Sequence, residues 1–410
     1  MKHITILPLV MMGLALTVAE AQAASYTYRI PMRGLAAPDA SGGAPSGGGG
    51  AADPTPSDIV DLAMGTNHTL IRKPDGTWYA AGLNNTGAFG QGTLYYADAF
   101  LPIPELNGST KVVAGDNRTF AQLTNGSWVV TGSNTMGQLG TGVGSPYYTG
   151  TFTVLPALTG VTNVYTGQFF TFAVKSDGSL WATGSNGNGA LGLGDWTDRK
   201  AFTAVPGMSS VLQVSTGVDH VFVQKSDGTW WGAGYNGYGE LGLGHTNTNN
   251  TFNYVPALDG ATKVLARGYF TLAQMADGSW RGTGYNDDGE LGIGAGTGPT
   301  VLTNLPGLAG AAEIVAGHYT VYKRLADGTW WVTGDNSGQH GLGDYASRYN
   351  FTMVPDLTGV TRLVASGTGT YARKADGSWI VAGSAGPLGK GRTPPTLTVF
   401  TPISAPADAP

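Results

Sequence analysis

Short apolar runs alternate with clusters of Gly, Asp, Asn, Ser and Pro along most of the chain, and the alternation keeps a regular count. Runs such as Lys111-Val112-Val113-Ala114 and Glu313-Ile314-Val315-Ala316 are too short for a helix and are bounded by glycine, the pattern of a strand. A second run follows and ends at an Asp-Gly pair, a two-residue hairpin signal. The third carries a tryptophan and ends at Thr-Gly or Ala-Gly, and an irregular fourth segment leads to a proline. Four short antiparallel strands in about 50 residues is the content of a propeller blade.

The phrase first written as Asp75-Gly76-Thr77-Trp78 gives the count its anchor. Its Asp or Asn returns at Asn125, Asp177, Asp227, Asp277, Asp327 and Asp376, at intervals of 50, 52, 50, 50, 50 and 49. Seven residues after each anchor stands Gly82, Gly132, Gly184, Gly234, Gly284, Gly334 or Gly383, and nine after it stands Asn84, Asn134, Asn186, Asn236, Asn286 or Asn336, with Ala385 in the last copy. A Gly-x-Leu-Gly element follows, as in Gly137-Gln138-Leu139-Gly140 and Gly239-Glu240-Leu241-Gly242. One such unit cannot bury both of its faces, so its neighbours must cover it, and seven in a ring do this for one another. The expected fold is all-β, a seven-bladed β-propeller over residues 58–403. Trp78, Trp128, Trp181, Trp230, Trp280, Trp330 and Trp379 are its expected structural anchors, because burying one tryptophan gives a gross gain of roughly 4 to 6 kcal/mol before entropy is subtracted.

Composition changes this picture little. Gly supplies 66 of 410 residues, which suits strands and tight turns and opposes helices. The ends add more. Lys2, the apolar stretch from Ile4 to about Val18 and the Ala21-Gln22-Ala23 site predict a secretory signal over residues 1–23, hence an exported chain, periplasmic or extracellular. Residues 24–35 are expected to hold one short strand, which either docks on the seventh blade or stays free for a partner. Residues 36–57 read as a Gly/Pro/Ser linker and 404–410 as a tail. No later stretch has the roughly 20 apolar residues of a membrane-spanning helix. The net charge of −5 and the lack of any Lys/Arg cluster argue against nucleic acid. With no cysteine, stability must come from packing.

Taken together, Gly65-x-x-His68-Thr69, Asp-Gly-x-Trp, Gly-x-Asn and Gly137-Gln138-Leu139-Gly140-x-Gly142 resemble the regulator-of-chromosome-condensation repeat, in order and in seven copies. The resemblance implies a seven-bladed propeller. Its eponymous member is a nuclear exchange factor for a small GTPase, a role that a signal peptide and an acidic chain oppose. Other members look like interaction scaffolds, and a secreted bacterial branch includes β-lactamase-inhibitory proteins. Repeats six and seven shorten the glycine element, at Gly338-Gln339-His340-Gly341 and Gly386-Pro387-Leu388-Gly389, as terminal repeats often do.

Candidate chemistry is sparse. Gly187-x-Gly189-x-x-Gly192 fits a dinucleotide fingerprint only formally, because no helix period follows. Asp287-Asp288 with Glu290, and Glu240, lack calcium-loop spacing and read as solvated turns. Neither a nucleophile elbow nor a His-Glu-x-x-His motif is written anywhere. What varies over the constant frame is aromatic and lies in turns: Phe169-Phe170, Tyr269-Phe270 and His318-Tyr319 before the second strand, and Tyr235 and Tyr285 before the repeated Asn. His68, Arg118, Phe170, His220, Tyr235, Phe270, Tyr285, His318 and Tyr319 are therefore the candidate partner-binding residues, since aromatics and arginine concentrate in interface hot spots. The expectation is a monomeric, non-enzymatic scaffold without cofactor or metal that binds another protein through one propeller face. A carbohydrate or cell-surface module and an enzyme inhibitor like the β-lactamase-inhibitory propellers are the alternatives.

Overall fold

The computed structural model describes residues 59–142, 145–384, 388–390 and 396–403. The expected signal, N-terminal strand, linker and tail lie outside these residues, as does any docking of that strand on the seventh blade. Seven four-stranded antiparallel sheets follow one another, each with its strands in chain order. The first blade uses Asp61–Met64, His68–Arg72, Trp78–Gly82 and Ala97–Pro102. The seventh uses Val360–Ala365, Gly369–Lys374, Trp379–Ser384 and Thr396–Pro402, so it completes four strands from its own repeat. The first strands of all seven blades face a cavity of about 470 Å³ on the axis of the ring.

The Asp-Gly phrase is a turn, one residue longer than the pair alone suggests. Lys73 N–H donates to the Thr77 carbonyl at 2.9 Å, Gly76 N–H donates to the Lys73 carbonyl at 3.0 Å, and Gly76 takes φ +86°. This is a three-residue loop with its glycine in the left-handed region. Asp75 Oδ1 accepts from the Thr77 hydroxyl at 2.6 Å and the Thr77 N–H at 2.9 Å. Those two bonds, the hydroxyl first, hold the exposed Asp75 carboxyl below its ordinary range.

The tryptophan beyond the turn points into the gap toward the next blade. Trp128, Trp230 and Trp330 are buried and donate from Nε1 to the carbonyls of Val161, Ala261 and Val360 at 3.1, 3.1 and 3.3 Å. The third blade departs from the expectation. There the buried residue of the column is Leu180, and Trp181 stands one place further along, half-buried, with Lys175 Nζ 3.9 Å above its ring. A shift of one residue along a strand turns a side chain to the other face.

Two of the repeated glycines are required by contact. Gly132 has φ +106° where the ladder to the outer strand shifts register, and a Cβ there would lie 2.3 Å from the Asn117 carbonyl. In the Gly-x-Leu-Gly element, Asn134 Oδ1 accepts from Leu139 N–H at 3.0 Å while its Nδ2 donates to the Pro146 carbonyl at 3.1 Å. The tightened loop buries Leu139 and presents Gly140 to the Phe202 ring of the next blade, which a Cβ would meet at 2.4 Å.

The same contact closes the ring. A Cβ on Gly389 of the seventh blade would meet Phe100 of the first at 2.5 Å. At that seam Trp379 Nε1 donates to the Ile59 carbonyl at 3.3 Å, the Thr368 hydroxyl donates to the Thr66 carbonyl at 2.6 Å, and Arg362 lies 3.6 Å from Asp61. Tyr371, Trp379, Val381 and Leu388 share one apolar cluster with Ile59, Leu62, Ile71 and Phe100. Truncating the seam ring, Phe100→Ala, is expected to cost about 3 to 5 kcal/mol in chemical denaturation.

Blade six places His340 where the first blade has Phe89 and the other five have leucine, fully buried and with neither ring nitrogen partnered. Burial, the leading cause, holds its pKa down at about 3. A depressed imidazole leaves the unfolded chain to take the proton first, so stability falls as pH drops below about 6.5. His340→Leu should therefore raise the unfolding free energy by about 1 to 3 kcal/mol at pH 7 and by more at pH 5, read by urea titration at both.

Candidate functional site

Antiparallel topology puts the first-to-second and third-to-fourth connections of every blade at one end of the ring, opposite the Asp-Gly turns. Two variable positions meet there. The residue after each third strand's glycine donates its N–H to the residue just before the second strand: Tyr235 to the Asp219 carbonyl at 2.8 Å, Tyr285 to Tyr269 at 2.8 Å and Asp335 to Tyr319 at 2.9 Å. The invariant backbone thus sets variable side chains next to one another.

In blades four to six those side chains form one tyrosine cluster. Ring centroids lie 5.9 Å apart for Tyr235 and Tyr269, 5.7 Å for Tyr238 and Tyr269, 5.1 Å for Tyr238 and Tyr285, and 6.4 Å for Tyr269 and Tyr319. Most meet edge to face, with interplanar angles of 63° to 72° for the first three pairs, the favoured arrangement for aromatic pairs. Tyr238 is the most open, 39% exposed.

Carboxyls surround the rings. Burial raises the Asp219 pKa to about 6, and burial with neighbouring carboxylates raises Glu240 and Glu290 to about 8. Asp335 is raised by burial and then by Asp288. Burial first, and then these acids, push the Tyr235 and Tyr319 hydroxyls up to about 12, so the phenols stay neutral. Tyr285 donates to Asp288 Oδ2 at 3.3 Å.

Glu240 and Glu290 are fully buried, which corrects the solvated-turn reading. Both occupy a position that is Gln138 or Gln339 in other blades. Those glutamines accept from the N–H two residues back, at 2.8 and 2.6 Å, and donate from Nε2 to Ser133 Oγ and to the Asp335 carbonyl. The glutamates keep the first bond, at 3.0 and 3.2 Å, but their Oε1 atoms have no partner.

The candidate residues separate by face. Tyr235, Tyr285 and Tyr319 join the cluster. His68, Arg118, Phe170, His220 and Phe270 begin the second strand and point inward, from 0% to 1% exposed, so they offer a partner no surface. Arg118 donates to the carbonyls of Gln168, Gly167 and Phe170 in the next blade, and His220 Nε2 lies 3.0 Å from Thr271 Oγ1. These five hold blades together. His318 lines the end of the axial cavity, and burial lowers its pKa. Tyr269 and Tyr238 complete the cluster although neither was a candidate. Strand alternation from the inward Phe270 identifies Tyr269 in the sequence, whereas Tyr238 becomes visible only once the blades are side by side. Among the described residues no three His, Asp or Glu side chains converge as a metal site.

A constant frame with one chemically distinct end defines a seven-bladed β-propeller. Models of the regulator of chromosome condensation (RCC1) repeat match residues 161–190 and 177–224. Together the two matches span residues 161–224, in the third and fourth blades. No curated protein matches along the sequence. Among solved structures, human WBSCR16 is similar at TM-score 0.63 and 20% identity, covering 75% of this chain and 84% of its own. Prp20p from Saccharomyces cerevisiae, described with its binding to Gsp1p and histones, is similar at TM-score 0.63 and 16% identity, covering 79% and 82%. Yeast RCC1 (Prp20) bound to Kap60 gives TM-score 0.63 and 17% identity, covering 79% of each chain. At these identities the likeness is one of fold.

A raised carboxyl contributes stability that is present below its unfolded pKa and lost as pH rises through the folded value. Glu240→Gln and Glu290→Gln supply the amide that the same position uses elsewhere. Each should leave stability near pH 5 almost unchanged and increase it near pH 9, above the folded value of about 8. Denaturant unfolding at the two pH values reads the difference.

Proposed function

We propose that this protein is an exported, monomeric, non-enzymatic scaffold that binds another protein through the end of the ring carrying the tyrosine cluster. The observation that carries the reading is the meeting of two variable positions, which brings Tyr235, Tyr269, Tyr285 and Tyr319 together with Tyr238 across three blades. Tyrosine presents a large, stiff surface with a polar tip and is favoured in interface centres. The yeast neighbours support it by analogy, since they are described with protein partners. Export rests on the N-terminal signal pattern, and inhibition of a secreted enzyme is one form that such binding takes.

A carbohydrate reading draws on a different feature, the exposed Tyr147, Trp196 and Tyr345 at 74%, 50% and 62% in the outer loops. The two separate experimentally. Immobilised mature protein, residues 24–410, should retain a protein from the exported fraction of its own culture and stay silent on a glycan array. The double substitution Tyr238→Ala/Tyr285→Ala should abolish retention without lowering the melting temperature by more than a few degrees. Glycan binding without protein retention transfers the function to the outer loops.

A further inference from the structure

The tyrosine end gathers carboxyl groups. Asp219, Glu240, Asp287, Asp288, Glu290 and Asp335 all act on the cluster, and the neighbouring charges that raise Glu240, Glu290 and Asp335 are other carboxylates. Nearby cations are turned away from it. Arg267, two residues before Tyr269, gives its guanidinium to the Ala316 and Ala266 carbonyls, and Arg348 pairs with Asp344 at 2.8 Å. Asp116 of the second blade also acts on Tyr319, while the paired variable positions in blades one and two are the neutral Asn67, Leu83, Asn117 and Ser133.

Two further observations point to a ligand of opposite charge. Asp287 is exposed and Asp288 half-buried beside Tyr285, whose hydroxyl donates to Asp288 Oδ2 at 3.3 Å, so a ligand on the rings meets carboxyl groups without entering the core. The rings present faces whose quadrupole attracts cations, and such contacts strengthen when desolvated. Because the acids do not converge as metal ligands among the described residues, the geometry favours extended organic cations over a metal ion.

We propose that this surface receives a basic segment of the partner protein, with a lysine or arginine side chain laid against Tyr238 and Tyr285 and neutralised by the surrounding carboxylates. The inference rests on the reading of this end as the binding face. A bound cation lowers the pKa of the raised acids, so binding releases protons and strengthens as pH rises from about 6 to about 8.

Isothermal titration of the mature chain tests this with an alternating Lys-Gly peptide, its Arg-Gly and Glu-Gly counterparts, and free tetramethylammonium. The basic peptides should bind, with proton release seen as a buffer-dependent heat, and the acidic peptide should not. Binding should weaken several-fold between about 50 and about 300 mM salt. Asp287→Asn/Asp288→Asn and Tyr238→Leu should each weaken it about tenfold, while Tyr238→Phe, which keeps the ring, retains it. Equal binding of acidic and basic peptides overturns the proposal, as does binding indifferent to the aspartate pair, and so does tetramethylammonium binding as tightly as the peptides. Partner retention separates this inference from the reading beneath it. Loss of the partner with Tyr238→Leu but not with the aspartate pair leaves the face and removes the cationic assignment. Retention by both variants removes the face.

Discussion

The structure depends on the contact by which one blade closes over the next: a glycine without a side chain receives an aromatic ring or, at Gly242, Leu302, and at four boundaries a tryptophan donates across the gap to a neighbouring carbonyl. No blade has a core of its own. The apolar clusters run across blade boundaries, as where Trp128 and Phe120 of the second blade pack with Val161, Val164 and Ala173 of the third. Nearest-neighbour stability of this kind requires either capped ends or closure. Here Gly389 and Phe100 repeat the internal contact between the last blade and the first, so the seam is one more boundary of the same type.

That requirement explains why so much of each repeat is constant. The Asn side chain ties its loop from both sides, as at Asn134. Threonine hydroxyls bridge blades, Thr131 to the Gly87 carbonyl and Thr283 to Gly239, each at 2.7 Å. Positions with such duties are not free to vary. The residues that remain are held by backbone alone, in pairs at one end of the ring, and in blades four to six they are tyrosines and acids. A functional surface can therefore change without loosening the ring beneath it.

Local order was readable directly: strand runs, turn glycines, the repeat interval and the buried tryptophan column need only neighbours along the chain. Misreadings arose where one residue of offset matters. The repeat spacing points to Trp181 for the column that Leu180 fills and to Phe270 where Tyr269 faces outward, because a strand turns its side chains over at every step. The polarity of Glu240 and Glu290 suggests solvated turns, yet they take a buried place shaped for glutamine.

By itself, then, the sequence determined a seven-bladed array and the neighbourhood in which variable residues would lie, because a blade's hydrogen bonds and turns are local and recur with the repeat. Only the tertiary structure decided which variable residues meet. Tyr235 and Tyr269 are 34 positions apart and Tyr269 and Tyr319 are 50 apart, and they touch because closing the ring sets successive blades side by side. Burial likewise follows from that closure: it withdraws His68, Arg118 and His220 into the boundaries, and it raises the Glu240 and Glu290 carboxyls beneath the tyrosines.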